Sequence, residues 1–542
     1  MLDSSPPPAP RDILEDTTNV DRTPTTKSSW FLPTPQTTKS TTARRRKLAS
    51  VETTPTKRRK IEAPEESSEE SDVDYDDEMD VDTLCQPRSD FRRQFYSHSH
   101  PVHKPFIRPS TTGILKTFVS SNKADTYKCH SLEQDGSLTS VYTCSYSHGA
   151  KRGTNSVLAM ATEQGTVHVV DASKRKDWDA GTPRPFYSTE PYIDIFTPEP
   201  QRQVIQAHNN GIFNIKWSPD DSLIATCSGD QTIRMSCPRT GTITHVLKGH
   251  TSTVKCATWD PHHGSILASG GRDGTICIWD VRVGETSTRP NGEELCSVAP
   301  VITIQGAHED SLKKTPRART KGTVTPRTIT DVLYSELHAN QLISSGSFDG
   351  ILRCWDLRKP PPKRGRTPKQ PRPPMLYSST LDPTSTNSRR PRGICSMASG
   401  TGPTAGLIFA IGQDSRIHTY ELPSLMAKEQ SLQDEHLQAG SFYVGLSVST
   451  CGRWLACGGS GEKGSNFLFD IEQGATRPRL QPLQPIEFKG HEGEVSAVDW
   501  AANSLATCGG DGIVRVWRPD NETYRSCLDD PKEAHWNWRW AA

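Results

Sequence analysis

The chain has 542 residues, enough for two to four domains, but only 33% of them are hydrophobic and 41 are proline. This composition excludes a chain that is folded throughout, so we expect an unfolded part and a compact part. Lysine and arginine number 64, and aspartate and glutamate 63, so the net charge of +1 indicates no class of partner by itself.

Membrane spans and disulfide or zinc frameworks are not indicated. No window approaches about 18 consecutive apolar residues, and the first residues do not resemble a secretory signal. The 14 cysteines are scattered, and no two of them form a Cys-x-x-Cys pair. We therefore expect a reduced intracellular compartment, no membrane contact, no metal and no cofactor.

Residues 1–105 have the composition of a disordered arm. Residues 1–60 contain 27 serines, threonines or prolines, and 62–82 contain 12 acidic residues and no basic one. Between them lie two basic clusters about ten residues apart, which fit a bipartite nuclear import signal. The predicted import residues are Arg45, Arg46, Lys57, Arg58, Arg59 and Lys60.

From about residue 106 to 520 one pattern recurs seven times. Its clearest copy, at 249–282, reads GHTSTVKCATWDPHHGSILASGGRDGTICIWDVR. Each copy holds three short alternating β-rich runs with room for a fourth. The approximate repeats are 135–172, 205–247, 248–305, 306–380, 391–423, 440–485 and 486–520.

The pattern predicts an all-β, seven-bladed β-propeller that follows the disordered arm. Its Gly-His and Trp-Asp signatures resemble those of the WD-repeat family. We expect the segment 113–121, which precedes the first repeat, to complete the last blade as a strand beside Val514–Trp517. A tryptophan-rich tail follows at 521–542, and we expect Trp536, Trp538 and Trp540 to pack from one side of a strand against the propeller. The alternative is a stripe of tryptophans that binds a partner.

Several blades repeat a histidine, a hydroxyl residue, an aspartate and a tryptophan. A Ser-His-Asp enzyme needs one such site, whereas this set recurs, so we interpret it as structural and the chain as non-catalytic. In WD-repeat proteins such a set forms a buried hydrogen-bonded tetrad. The predicted members are His250, Ser269, Asp273 and Trp279; His308, Ser345, Asp349 and Trp355; and His491, Thr507, Asp511 and Trp517.

The repeat at 205–247 departs from this pattern, because Ser236 and Cys237 stand where Trp-Asp is expected. Its tetrad should therefore lack the indole. Cys227, Cys457 and Cys508 occupy similar strand positions, and we interpret them as small buried residues rather than metal ligands.

Two successive repeats end in Trp-Asp-x-Arg. These boxes, Trp279, Asp280 and Arg282, and Trp355, Asp356 and Arg358, resemble those of substrate receptors of cullin-four ubiquitin ligases. In that family the arginine extends from the bottom face, where the loop after Trp-Asp lies, toward a triple-propeller adaptor. The alternative is a solvated arginine of the kind common in WD repeats.

The opposite, top face carries the histidine loops and should be basic. Nine basic residues and three acidic ones lie in the inserted segments 309–327 and 381–392. The basic residues are Lys313, Lys314, Arg317, Arg319, Lys321, Arg327, Arg389, Arg390 and Arg392. They suit phosphate, DNA or an acidic protein, although an ordinary solvated loop is an equal alternative.

The combination GRDGTICIWDVR, GAH with a basic insertion, DGILRCWDLRK and SFYVGLSVST resembles the denticleless (Cdt-two) family over about 205–460. The resemblance implies a nuclear, non-enzymatic substrate receptor of a cullin-four RING ligase. Its substrates would be replication-licensing and cell-cycle proteins, some bound to the sliding clamp on chromatin. The alternative is a nuclear WD scaffold or histone-binding chromatin subunit without a ligase.

Overall fold

The computed structural model describes residues 111–131, 137–174, 203–288, 294–309, 327–358, 373–386, 390–441, 443–461, 464–472 and 483–541. Within these ranges the chain forms seven sheets, each built on four antiparallel strands. The first strands of neighbouring sheets contact one another around a closed ring and line a central channel. The predicted seven-bladed propeller is confirmed.

A short helix, two strands and blade 1 form the first part of the described chain. The leading elements are α1 (Thr112–Lys116), β1 (Phe118–Ser121) and β2 (Thr126–Lys128). Blade 1 consists of β3 (Val141–Tyr146), α2 (His148–Arg152), β4 (Val157–Thr162), β5 (Thr166–Asp171) and β6 (Gln203–Gln206).

Blades 2 and 3 share an extra hairpin. Blade 2 consists of β7 (Ile212–Trp217), β8 (Ile224–Ser228), β9 (Thr232–Ser236) and β10 (Ile243–Lys248). Blade 3 consists of β11 (Val254–Trp259), β12 (Ile266–Gly271), β13 (Ile276–Asp280) and, after the hairpin β14 (Glu285–Thr288) and β15 (Glu294–Val298), β16 (Ile302–Ile304). Strand β15 pairs in parallel with β10, so the hairpin of blade 3 widens the sheet of blade 2.

Blades 4 to 6 have the same four-strand order. Blade 4 consists of β17 (Ile329–Tyr334), β18 (Gln341–Gly346), β19 (Arg353–Asp356) and β20 (Met375–Ser378). Blade 5 consists of β21 (Ile394–Ser399), β22 (Leu407–Gly412), β23 (Arg416–Glu421) and β24 (Met426–Ala427). Blade 6 consists of β25 (Leu446–Val448), β26 (Trp454–Cys457), β27 (Ser465–Asp470) and β28 (Ile486–Lys489). Single 3-10 turns at Pro383–Ser385 and Gly402–Thr404 precede β21 and β22.

Blade 7 is completed by a strand from the start of the described chain. Its own strands are β29 (Val495–Trp500), β30 (Leu505–Gly509) and β31 (Ile513–Pro519). The fourth strand is β2, in which Tyr127 pairs with Val514, while β1 pairs beyond it, with Val119 opposite Arg518. The sequence predicts this closure by a strand at 113–121. The prediction is confirmed in part, because β1 lies in this segment and pairs with the end of β31. It is wrong in detail, because 112–116 forms helix α1 and the strand beside Val514 is β2.

The second strand of a blade is buried on both faces because neighbouring blades cover it from both sides. Strands β8 and β30 are buried at every position. Their sequences, IATCS and LATCG, are therefore small and apolar rather than alternating. Cys227 and Cys508 lie in these strands and Cys457 in β26, all fully buried, which confirms their interpretation as packing residues.

The end of the chain differs from the predicted strand. It forms α3 (Asn521–Asp529), α4 (Pro531–Asn537) and β32 (Trp538–Trp540), and β32 pairs with β1. Trp538 and Trp540 are partly buried as predicted, but Trp536 lies in α4 and is 81% exposed. The prediction of one packed tryptophan face is therefore wrong for Trp536. No helix in the described part of the chain is long and apolar enough to span a membrane.

Candidate functional site: the two faces of the propeller

Strand order places the repeated residues at opposite ends of each blade. In blade 3, His250 precedes β11 and Asp273 lies in the turn between β12 and β13, so both are at the top. Arg282 follows β13 and therefore lies at the bottom, beside the β11–β12 turn. The other blades repeat this arrangement.

Two tetrads form as predicted. In blade 3, His250 Nδ1 lies 3.1 Å from Asp273 Oδ2, and its Nε2 lies 2.8 Å from Ser269 Oγ, which accepts a 2.8 Å hydrogen bond from Trp279 Nε1.

In blade 7 the corresponding distances are 3.0 Å from His491 to Asp511, 2.8 Å from His491 to Thr507 and 3.0 Å from Trp517 to Thr507. Each of these two tetrads ties a top loop to the blade interior and satisfies the buried polar groups of its members.

Blade 2 has a tetrad without an indole, as the sequence predicts. His208 Nδ1 lies 2.8 Å from Asp230, and Nε2 lies 2.8 Å from Thr226, whose hydroxyl is 3.1 Å from the Arg234 carbonyl instead of a tryptophan. Ser236, at the tryptophan position, is buried, and its hydroxyl has no partner among the described residues. Burial opposes ionisation of Asp230, but hydrogen bonds from His208 and Thr232 lower its pKa to about 2.

In blade 4 the predicted tetrad is wrong in its hydroxyl residue. His308 Nε2 lies 2.9 Å from Ser344, and Trp355 Nε1 donates to Ser344 at 2.9 Å. The predicted Ser345 instead bonds Thr330. Ser344 lies 11 residues before Trp355, whereas Ser269 lies ten before Trp279, so the intervening turn is one residue longer. A shift of one residue moves a strand side chain to the other face.

The longer turn also separates His308 from Asp349, so this pair of the predicted tetrad does not form. Asp349 lies 3.6 Å from Arg327, and His308 Nδ1 has no hydrogen-bond partner within the described ranges. Burial, together with the charge of nearby Arg353, lowers the pKa of His308 to about 3. His308 is therefore neutral at physiological pH.

Sequence reasoning missed a repeated arginine that supports the top loop in three of the blades. Arg234, Arg353 and Arg515 each lie two residues before the tryptophan position and donate to the carbonyls of Ala207, Ala307 and Gly490 in the top loops. Their common offset from the repeat was the available signal. Blade 3 has Cys277 at this position.

The bottom face presents the two predicted arginines. Arg282 donates from Nε and Nη2 to the two carboxylate oxygens of Asp280 at 2.9 and 2.7 Å, and its side chain is 68% exposed. Arg358 forms the same fork with Asp356 and is 70% exposed. Trp279 and Trp355, which the sequence places in the adaptor-binding boxes, are buried and cannot themselves contact a partner.

The carboxylates hold each guanidinium beside its own blade and leave its remaining donors toward solvent. The hydrogen bonds from Arg282 and Arg358 lower the pKa of Asp280 and Asp356, despite some burial. Exposed apolar side chains accompany them on this face: Val283, Val301, Leu337 and Met375. Arginine next to apolar surface is the composition of a protein interface.

The third residue after the tryptophan position distinguishes blades 3 and 4 from the other blades. Arg239 occupies it in blade 2 and is exposed, but Cys237 stands where a forking aspartate would be. Blades 6 and 7 have Glu472 and Asp520 there. The forked arginines are thus confined to two adjacent blades.

Of the predicted basic top patch, Arg327, Arg390 and Arg392 are described. Arg390 and Arg392 are exposed in the loop before β21, and Arg327 stacks on Phe348 with Cζ 3.9 Å from the ring centroid. Lys313, Lys314, Arg317, Arg319, Lys321 and Arg389 lie outside the described residues, as do the arm and its import residues. In the described ranges no three His, Cys, Asp or Glu side chains group as a metal site.

The fold and its repeated tetrads define a WD-repeat β-propeller protein. The family model described as "WD domain, G-beta repeat" matches residues 199–235, 241–280 and 483–518.

Among named relatives, the chain is 28% identical to Denticleless protein homolog B of Xenopus laevis over 77% of its own length and 54% of that protein. It is 26% identical to Denticleless protein homolog of Danio rerio over 81% of its length and 62% of that protein. It is 32% identical to Cell division cycle protein cdt2 of Schizosaccharomyces pombe, over 57% of its length and 58% of that protein.

These matches confirm the resemblance seen in the blade sequences: the chain is a relative of the denticleless and Cdt2 proteins. It spans between half and two thirds of the length of these relatives.

Proposed function

We propose that the chain is the substrate receptor of a cullin-four RING ubiquitin ligase. Its bottom face would bind the triple-propeller adaptor, and its top face would hold replication-licensing and cell-cycle proteins for ubiquitination. In this role the chain performs no chemistry, because ubiquitin transfer belongs to other subunits. The observation that carries the proposal is the pair of exposed, aspartate-forked arginines on adjacent blades 3 and 4.

The forks make Arg282 and Arg358 suitable for binding. A free arginine side chain loses rotamer entropy when a partner immobilises it, whereas a guanidinium already held by its own aspartate loses less. Because the remaining donors face solvent, a partner's carbonyls or carboxylates can complete the hydrogen bonding.

The proposed top-face partners are protein substrates, including ones bound to the sliding clamp on chromatin. The exposed Arg390 and Arg392 support a contact with DNA or an acidic protein surface there.

The test is co-purification of the adaptor with the full chain. Changing Arg282→Ala together with Arg358→Ala should weaken adaptor binding about thirtyfold or more, because an interface arginine contributes roughly 2 kcal/mol. The melting temperature should barely move, since exposed substitutions alter stability by about ±0.5 kcal/mol.

Arg239→Ala is the matched control, because Arg239 has the same position and exposure but no fork. It should retain the adaptor. Wild-type levels of adaptor on the double variant would contradict the ligase assignment and favour a nuclear scaffold.

We also propose that the protein acts in the nucleus, on the basis of the basic clusters at 44–47 and 57–60. Replacing Lys57, Arg58, Arg59 and Lys60 with alanine should shift a fluorescent fusion of the full chain toward the cytoplasm. A variant that accumulates in the nucleus as well as the wild type would refute the import signal.

A further inference from the structure

Six of the seven innermost strands begin with the same irregularity. Their pairing with the second strand shifts by one residue after the first position, as in a β-bulge. A bulge re-aims the side chain of the extra residue. The bulge residues are Tyr142, Phe213, Lys255, Thr330, Cys395 and Ser496. They repeat at the top end of the channel because each lies at the start of its strand.

Four side chains meet across this channel mouth. Tyr142, Phe213 and Tyr443 have ring centroids 5.1 to 5.8 Å apart and planes within 19° of parallel. Lys255 Nζ lies 4.5 Å from the Tyr443 centroid and 5.1 Å from that of Phe213. Tyr443 belongs to the loop before blade 6, which borders neither blade 2 nor blade 3. These contacts therefore cross the channel rather than pass between neighbours.

The large side chains at the mouth come from four of the seven blades. Blades 1, 2, 3 and 6 supply its three rings and the lysine. The bulge residues of blades 4, 5 and 7, Thr330, Cys395 and Ser496, are small and buried. Tyr443 is 38% exposed, so the aromatic cluster can be reached from the top face.

Two charged groups at this mouth are not fully satisfied. Lys255 Nζ makes no hydrogen bond or ion pair to any described residue, although it lies over the two rings. Glu494 Oε1 is buried and likewise has no partner in the described ranges. Burial lowers the pKa of Lys255 to about 8 and raises the pKa of Glu494. A ligand that supplies an acceptor for Lys255 and a donor for Glu494 would pair with both groups.

The arrangement favours an acidic ligand over a basic one. The cation-binding faces of Phe213 and Tyr443 are already occupied by Lys255, so a second cation would meet like charge. In an acidic peptide, a carboxylate can accept from Lys255, an apolar side chain can pack on the exposed ring of Tyr443, and a backbone N–H can donate to Glu494.

We propose that the channel mouth binds a short peptide segment of a protein partner in which an acidic residue lies next to an aromatic or large aliphatic one. The acidic side chain pairs with Lys255, and its neighbour packs on Tyr443. That the peptide belongs to a ligase substrate rests on the proposed function above, whereas the binding itself does not.

The test is a selection with a random nonapeptide phage library against the immobilised full chain. Enriched sequences should contain Asp or Glu beside Phe, Tyr, Trp, Leu or Ile. A synthetic copy of an enriched peptide should bind at least tenfold more weakly to Lys255→Met and to Tyr443→Ala. Lys248→Met, which removes an exposed lysine from outer strand β10, is the matched control and should bind as the wild type does.

Enrichment of Lys- or Arg-rich peptides would overturn the proposal, as would no enrichment or binding unaffected by both variants. A single-stranded 20-mer oligonucleotide that competes through Lys255 would assign the mouth to nucleic acid instead. Both variants should still co-purify the adaptor. Loss of peptide binding alone therefore concerns this site, and failure of wild-type adaptor binding concerns only the ligase assignment.

Discussion

Blades 2 and 3 have the same strand order but differ at the end of the third strand, where Ser236-Cys237 stands in one and Trp279-Asp280 in the other. In blade 3 the tryptophan donates inward to Ser269, and the aspartate holds Arg282 at the bottom face. In blade 2 both connections are missing, although the histidine, the hydroxyl residue and an exposed arginine remain.

The comparison shows that one dipeptide serves two separate purposes. The tryptophan stabilises the blade interior, whereas the aspartate shapes a surface residue. A blade can therefore lose the dipeptide and still fold, as blade 2 does, but it then presents Arg239 without a fork. Substitutions in the two blades can separate the contributions to stability from those to binding.

The largest effect on stability is expected for Trp279→Ala. Removing this fully buried tryptophan leaves a cavity and takes away one of the two hydrogen bonds of Ser269, and should lower the free energy of unfolding by about 3–5 kcal/mol. Urea denaturation measures this. Ser236→Ala, at the same position in blade 2, removes a buried hydroxyl that has no hydrogen-bond partner among the described residues, so it should not lower the stability. Equal losses in the two variants would show that the indole is not what distinguishes the blades.

A smaller difference is expected between Ser269→Ala and Thr226→Val. The first leaves the ring nitrogens His250 Nε2 and Trp279 Nε1 without a partner and should cost about 2–4 kcal/mol. The second removes the partner of His208 Nε2 and a hydrogen bond to the Arg234 carbonyl, and should cost about 1–2 kcal/mol. Denaturation midpoints of the two variants, measured side by side, give the difference. If Thr226→Val proved the more damaging, the hydrogen-bonded chain of blade 3 would not be the stronger one.

The smallest effect is the acid dependence of blade 2. The pKa of Asp230 is about 2 in the folded chain and about 3.9 when unfolded, so the native state releases this proton more readily. Its contribution is present above about pH 4 and declines as the pH falls toward 2, by at most about 1 kcal/mol because solvent screens it. Calorimetry at pH 5 and pH 3 should show a smaller drop in Tm for Asp230→Asn than for the wild type. An unchanged drop would exclude Asp230 as a contributor.

Much of the fold was predictable because the repeat is local. A blade's strands, turns and tetrad lie within about 40 residues, so the periodicity of apolar residues and the Gly-Asp turns indicate seven blades directly. The positions of Arg282 and Arg358 followed from the same regularity, since each comes directly after a third strand.

Other features depended on the register of strands. The extra residue in the turn after β18 puts Ser344, rather than Ser345, beside His308 and removes Asp349 from the set. More than one segment before the first repeat can pair with the last blade. The strand beside Val514 is β2 rather than 113–121.

The sequence by itself determined the number of blades, two of the three complete tetrads it predicted and the two forked arginine positions, because each of these is written within one repeat. Only the tertiary structure decided which strand closes the ring, where Trp536 lies and which side chains share the channel mouth. Tyr142, Phe213, Lys255 and Tyr443 come from different blades and lie up to 301 residues apart in the chain. They meet only because closure of the ring brings the starts of its inner strands together around one axis.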